Sequence, residues 1–349
     1  MTDYAELRRL VTEAGLREGR PFYYGAHALL VLACFALAVV SLMRWPGGWV
    51  SLFVAAALAF AYGQVAFLGH DASHHQMFAR RSSEDVFCLA CNLLIGFSYS
   101  WWIDKHTRHH RAPNQVGMDP DMDVPLLAFS PEQARAATGL KRTIIRYQAF
   151  AFPVMLLFEG IALRIASVTY LWRGKARFPV AESTLIAVHV IGYVTFVLAV
   201  LPFWEGMLFM GVHQALFGLY LGAVFAPNHK GMPVIPRGST LDSLQRQLLT
   251  SRNVRSHPIT DFMFGGLNYQ IEHHLFPRIP RSRLKELQRL VRAFCAARGL
   301  LYHEVGLFES IRETFTHLSR VSASIQQEAG IVSCDDDERA AAGRRPVGQ

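Results

Sequence analysis

Four stretches of this chain, residues 21–43, 45–69, 183–204 and 206–229, contain no Asp, Glu, Lys or Arg. A helix needs about twenty residues to cross a hydrocarbon core, so each stretch is long enough to span a bilayer. They come as two hairpins, turning at residues 44–48 and 202–206. Two weaker apolar stretches differ. Residues 86–103 are uncharged but hold Asn92 and end in Tyr99, Trp101 and Trp102, while residues 147–172 are interrupted by Glu159 and Arg164. Charges are costly at mid-bilayer, so both are expected to lie in the interface with one side buried.

Counting only the four strong spans puts the N-terminus, residues 70–182 and everything after residue 229 on one side. Arg8, Arg9, Arg17, Arg20, Arg80, Arg81 and the many basic residues from Arg237 onward sit there, whereas the opposite turns hold only Arg44. The positive-inside rule makes that side cytoplasmic. The expectation is a multi-pass protein of the cell membrane with both termini and its functional site in the cytoplasm. The formal net charge of +8 then reads as attraction to anionic headgroups and not as nucleic-acid binding. Five scattered cysteines, Cys34, Cys88, Cys91, Cys295 and Cys334, form no disulfide framework. The Cys88–Cys91 pair reads as packing.

The expected organisation is a cytoplasmic segment over residues 1–20, with Leu7, Leu10, Val11 and Leu16 on one helical side, and a membrane domain over 21–281. Cytoplasmic helices follow over 282–332, and a charged, disordered tail over 333–349.

Eight of the fifteen histidines fall in three clusters: His70, His74 and His75 in HDASHH, His106, His109 and His110 in HTRHH, and His273 and His274 in QIEHH. Fewer than about one His-His pair is expected by chance at this composition, and three occur. Residues three or four apart share a helix face, so His70 projects beside His74, and His106 beside His109 and His110. Adjacent histidines diverge by about 100°, so each pair can serve two metals. Neutral imidazole binds iron, zinc, copper and nickel, and spacing alone does not choose among them. All three clusters lie at or beyond the cytoplasmic span ends. His229 closes the fourth span at the same level and is a ninth candidate. His27 and His189 read as packing residues within the spans. His213 sits too deep for a favoured role, and His303 and His317 read as surface residues.

In type, order and separation these clusters resemble the H-x3-HH, H-x2-HH and H/Q-x2-HH boxes of the membrane fatty-acid desaturase family. The Gln270 form of the third box is similar to the front-end acyl branch, and FAPNHKGMP and NQVGMDPDMD resemble its bacterial members. The resemblance covers roughly residues 24–281. It implies an all-α integral membrane protein, four transmembrane helices in two hairpins with interfacial helices, and a cytoplasmic helical cap holding a di-iron site. The two irons would be held by His70, His74, His75, His106, His109, His110, His229, His273 and His274, with Gln270 a further candidate. Asp71, Glu272, Asp119, Asp121 and Asp123 are candidates for orienting the imidazoles.

The implied reaction is O2-dependent insertion of a cis double bond into an acyl-CoA or acyl-lipid. The H-P-G-G mark of a fused cytochrome b5-type domain does not occur, so electrons are expected from a separate ferredoxin or flavin-dependent reductase. Trp101 and Trp102 are expected to anchor the interface. The alternatives are a di-iron hydroxylase or acetylenase, a sphingolipid desaturase, or a zinc-dependent membrane hydrolase or receptor. The zinc reading needs only three or four ligands, far fewer than the histidines present.

Overall fold

The computed structural model describes the backbone of residues 2–342 and the side chains of residues 2–325. Helix α1, Asp3–Glu13, precedes the first hairpin, α2 (Pro21–Arg44) and α3 (Gly48–Ser73). Two bent pairs follow. The first is α4, Arg81–Ile95, with α5, Tyr99–Arg111. After the short helices α6 (Pro131–Arg135) and α7 (Gly139–Arg146) comes the second, α8 (Gln148–Leu156) with α9 (Glu159–Trp172). The second hairpin is α10, Pro179–Val200, and α11, Phe203–His229. Among the described residues four helices, α2, α3, α10 and α11, are each long and apolar enough to cross a membrane.

The observed ends depart from the charge-free windows for local reasons. Helix α3 continues past residue 69 because Asp71, which follows His70, is buried and paired with Arg281. Helix α10 begins at Pro179, four residues before the expected start at 183. Its Glu182 accepts from Ser98 Oγ at 2.5 Å and from the Ser100 amide at 3.0 Å, so the carboxylate is not left facing lipid. Helix α10 stops at Val200 instead of 204, since Pro202 cannot continue it and instead caps α11. Among the spans, α3 and α11 form the centre, packed on each other, while α2 and α10 turn Leu29, Leu37, Val188 and Ile191 outward.

The bent pairs turn by 107° and 75°, so neither offers one straight crossing. The first turn is made at Gly96, where φ is +73° and a Cβ would lie 2.4 Å from His189 Cδ2, so only glycine fits. Arg164 in α9 is satisfied within the protein. It donates to the Ile95 carbonyl at 2.9 and 3.2 Å and to Gln214, and lies over the Phe97 and Phe217 rings.

The cap comprises α12 (Ser243–Thr250), α13 (Pro258–Met263), α14 (Gln270–Leu275), α15 (Leu284–Arg298) and α16 (Leu307–Ala342). A two-residue parallel pairing of Asn253–Val254 with Glu304–Val305 ties it together. Leu7, Val11 and Leu16 of the N-terminal segment are buried against Leu244, Leu248, Ile271, Leu275 and Leu287, which closes the cap over α14. The tail expected from residue 333 overlaps the end of α16, where side chains are not described, and residues 343–349 lie outside the described residues.

Candidate metal centre

The histidines come from the end of α3, the last two turns of α5, the end of α11 and the short helix α14. They gather into two groups, within each of which the ligand atoms lie within 4.8 Å of one another. The first group holds His70, His74, His106, His110 and His273, and the second His109, His229 and His274. The Nε2 atoms converge. His74 to His106 is 2.8 Å, His106 to His110 is 3.1 Å, His110 to His273 is 3.1 Å, and His109 to His229 is 3.2 Å.

The outward ring nitrogens decide what these contacts are. His229 Nδ1 lies 2.9 Å from the Thr250 carbonyl, and His109 Nδ1 lies 3.0 Å from Asp119 Oδ1. His70 Nδ1 lies 3.1 Å from Asp71 Oδ1, and His274 Nδ1 lies 2.9 Å from Gln247 Oε1. All four partners are acceptors, so in each neutral ring Nδ1 carries the proton and Nε2 offers the lone pair. The His229 lone pair accepts from Gln270 Nε2 at 2.8 Å, while that of His109 meets only His229 Nε2 and no proton donor. His70 Nε2 and His274 Nε2 are buried with no hydrogen-bond partner. Buried acceptors left unpaired are costly, and a cation between them removes the cost. The donor set suits a divalent transition metal in each group.

Burial, then the neighbouring imidazoles, pushes His74, His106, His110, His273 and His274 well below the usual histidine range. The rings are thus held neutral, the ligand-competent form.

The carboxylates divide. Asp71 bridges His70 and Arg281, and Asp119 receives His109 with the Asn114 amide at 2.7 Å. Asp121 pairs with Lys105 and lies 3.4 Å from His109 Nδ1. Glu272, although between the boxes' residues, points away to Asn253 and Tyr302, and burial lifts its carboxyl to about 7. Asp123 is exposed.

His75 joins neither group. Helix α3 ends at Ser73, His75 has a φ of +59°, and its ring turns to Glu84 at 3.8 Å. The 100° rule for adjacent residues fails there because the helix has ended. Gln270 stands at the second group, its Nε2 2.8 Å from His229 Nε2 and its Oε1 3.2 Å from Asn228 Nδ2. Trp102 is no interface anchor: its ring stacks on His106 with centroids 4.6 Å apart. Trp101 is buried. His303 and His317, expected at the surface, are half-buried, bonding Glu313 and the Phe129 carbonyl at 3.0 Å each. His27 and His189 do serve packing, through Gln64 and the Leu93 carbonyl. Gln247 and Thr250 carried no signal in the sequence, being polar residues that meet the histidines only in the folded chain.

The family model described as fatty acid desaturase matches residues 43–306. An acyl-lipid (9-3)-desaturase of Physcomitrium patens is 31% identical over 347 residues, covering 94% of this chain and 64% of the relative. A Delta(6)-fatty-acid desaturase of Caenorhabditis elegans is 30% identical over 342 residues, covering 93% and 76%. A Delta(8)-fatty-acid desaturase of Euglena gracilis is 30% identical over 312 residues, covering 86% and 74%. The chain therefore spans a little under two thirds of the moss relative's length.

Proposed function

The chain belongs to the fatty acid desaturase family, and on that premise we propose that it converts –CH2–CH2– in a fatty acyl chain to cis –CH=CH–. The balance is one O2, two electrons and two protons consumed and two waters released per double bond. The acyl chain is carried as an acyl-lipid or acyl-CoA, and the electrons come from a separate ferredoxin or flavin-dependent reductase.

The observation that carries this reading is the set of Nε2 lone pairs on His70, His109 and His274, each fixed by an outward Nδ1 bond and facing no proton donor. Two irons suit the two groups: His70, His74, His106, His110 and His273 hold one, and His109, His229 and His274 the other, beside Gln270. Iron supplies the one-electron chemistry with O2 that breaking an unactivated methylene C–H bond requires. The protein's own part is to fix ring orientation through Asp71, Asp119, Gln247 and Thr250 and to keep water out by burial. The centre lies at the ends of α3 and α11, and the basic residues on that side argue for a cytoplasmic placement.

The test is expression in a host of defined lipids fed perdeuterated acyl chains, read by mass spectrometry. A product that has lost two deuterium atoms is expected. A product that keeps all but one deuterium and gains oxygen makes the protein a hydroxylase, and one zinc with no iron per purified chain overturns the di-iron reading.

A further inference from the structure

Trp102 stands one helical turn before His106 on α5, and residues four apart share a face. Its indole stacks on the His106 ring, with centroids 4.6 Å apart and planes 16° from parallel, and meets the His70 ring edge to face at 6.2 Å. Both imidazoles belong to the first group. The indole is tethered to the end of α3: Nε1 donates to Ser73 Oγ at 3.4 Å, and Ser73 Oγ donates to the His70 carbonyl at 2.6 Å. Among the described residues no other Trp, Tyr or Phe ring packs on a histidine of either group. Trp101 is buried behind it, its centroid 6.5 Å from that of Trp102. The other four of the six tryptophans, Trp45, Trp49, Trp172 and Trp204, are exposed and turn outward.

This placement has a chemical consequence. The proposed reaction needs an oxidant strong enough for an unactivated methylene, and an indole ring gives up electrons far more readily than a methylene does. The imidazoles around the centre are poorer targets, since they give their lone pairs to the metal. A bound acyl chain takes the oxidant and closes off side reactions. With that position empty, the electron-rich ring packed on the first group is Trp102.

We propose that Trp102 is a self-hydroxylation site, oxidised in place of the substrate when no acyl chain is bound. The inference rests on the proposed function, which brings O2 and a one-electron reductant to the centre. One oxygen atom of O2 enters a ring C–H bond of the indole and gives C–OH. The other leaves as water, with two electrons from the reductant and two protons from solvent. The ring thus supplies two of the four electrons that reduce O2, and the reductant the other two. The product is a hydroxytryptophan at residue 102, a covalent record of turnover without substrate.

The experiment uses the full iron-loaded chain in detergent, with photoreduced deazaflavin as reductant, isotopically heavy dioxygen, and catalase to remove free peroxide. The digested protein is mapped by tandem mass spectrometry, which separates Trp101 from Trp102. One heavy oxygen atom on Trp102 is expected, and none in zinc-loaded protein. Dilinoleoyl-phosphatidylcholine and linoleoyl-CoA are the acyl probes. Whichever is desaturated, added at about ten times its dissociation constant, should lower the label about tenfold, because it leaves about one chain in eleven empty. Label on Trp101 in place of Trp102 overturns the proposal, as does label spread over the exposed tryptophans, which marks a diffusing oxidant. Equal label with zinc, or label that a desaturated probe does not lower, overturns it as well. The proposed function is judged separately by double bonds formed in the host of defined lipids. If they form and Trp102 takes up no heavy oxygen, the inference alone fails. If none form and Trp102 is labelled, the proposed function fails and the self-hydroxylation stands; if neither occurs, both fail.

Discussion

Replacing Asp119 by Asn changes one atom in a site with no slack. The carboxylate is fully buried, and its two oxygens receive His109 Nδ1 at 3.0 and 3.1 Å, the Asn114 amide at 2.7 Å and the Asp121 amide at 2.9 Å. The carboxamide has one acceptor oxygen. Whichever way it turns, its NH2 opposes one backbone amide, Asn114 or Asp121, and that buried donor loses its partner at a cost of about 1–3 kcal/mol. The loss of the charge-assisted bond to His109 adds to this, giving about 2–4 kcal/mol in all. The same change loosens the ring that offers its Nε2 to the second imidazole group. Removing such an orienting partner lowers metal affinity about 10–100-fold. His109 belongs to the second group only, so the effect should fall on one iron. The assay is titration of iron-loaded protein in detergent with a competing chelator, counting metal by emission spectroscopy. Asp119→Asn should drop to one iron per chain at a chelator concentration where the wild type and the exposed-site control Asp123→Asn keep two. Equal retention of both irons would refute the orienting role of Asp119.

Further outcomes follow from single features of the fold. His74→Ala should lose an iron and all product, whereas His75→Ala should keep both irons and most activity, because His75 faces Glu84; equal damage from the two would reverse this assignment. Arg281→Met leaves Asp71 as a buried carboxylate without its cation and should destabilise the protein by about 3–5 kcal/mol, seen as a lowered unfolding midpoint in detergent. Gly96→Ala places a Cβ 2.4 Å from His189 Cδ2 at a φ of +73° and should cost at least about 1–3 kcal/mol from backbone strain, in the same measurement. An unchanged midpoint in either variant would contradict the packing described.

The spans were legible because a bilayer crossing demands a long window without charge, and four windows met it. Their ends were less so, since a window stops at the first charge while a helix stops where its backbone must turn. Glu182 looked like an outer boundary because Ser98 and Ser100, which donate to it, lie more than eighty residues earlier. Residues 201–204 looked like span because they are apolar, although Pro202 had already set the end. The histidine groups were legible where helical periodicity held, on α5 and α14. At His75, two residues past the end of α3, that periodicity no longer applies, and the ring faces Glu84. Gln247 and the Thr250 carbonyl were invisible for a different reason. Nothing in LDSLQRQLLT sets Gln247 apart from Gln245, and a backbone carbonyl has no identity at all.

The two His-His pairs that do sit on helices explain how so few residues make two adjacent sites. On α5, His109 enters the second group and His110 the first; on α14, His273 enters the first and His274 the second. Each pair divides because neighbours on a helix diverge by about 100°, and two such pairs facing each other define two sites side by side. His110 and His274, from opposite helices and opposite groups, stack with centroids 4.2 Å apart and planes 13° from parallel, so the boundary between the sites is itself a ring contact. Three of the remaining ligand candidates come from span ends or one α5 turn, His70, His74 and His106, and join the first group, while α11 gives only His229 to the second. The second group is therefore short of imidazoles where Gln270 stands 2.8 Å from His229. Gln270 thus falls on the side of the centre with the fewest histidines, which makes that group's coordination, rather than the five-imidazole group's, the more open to change.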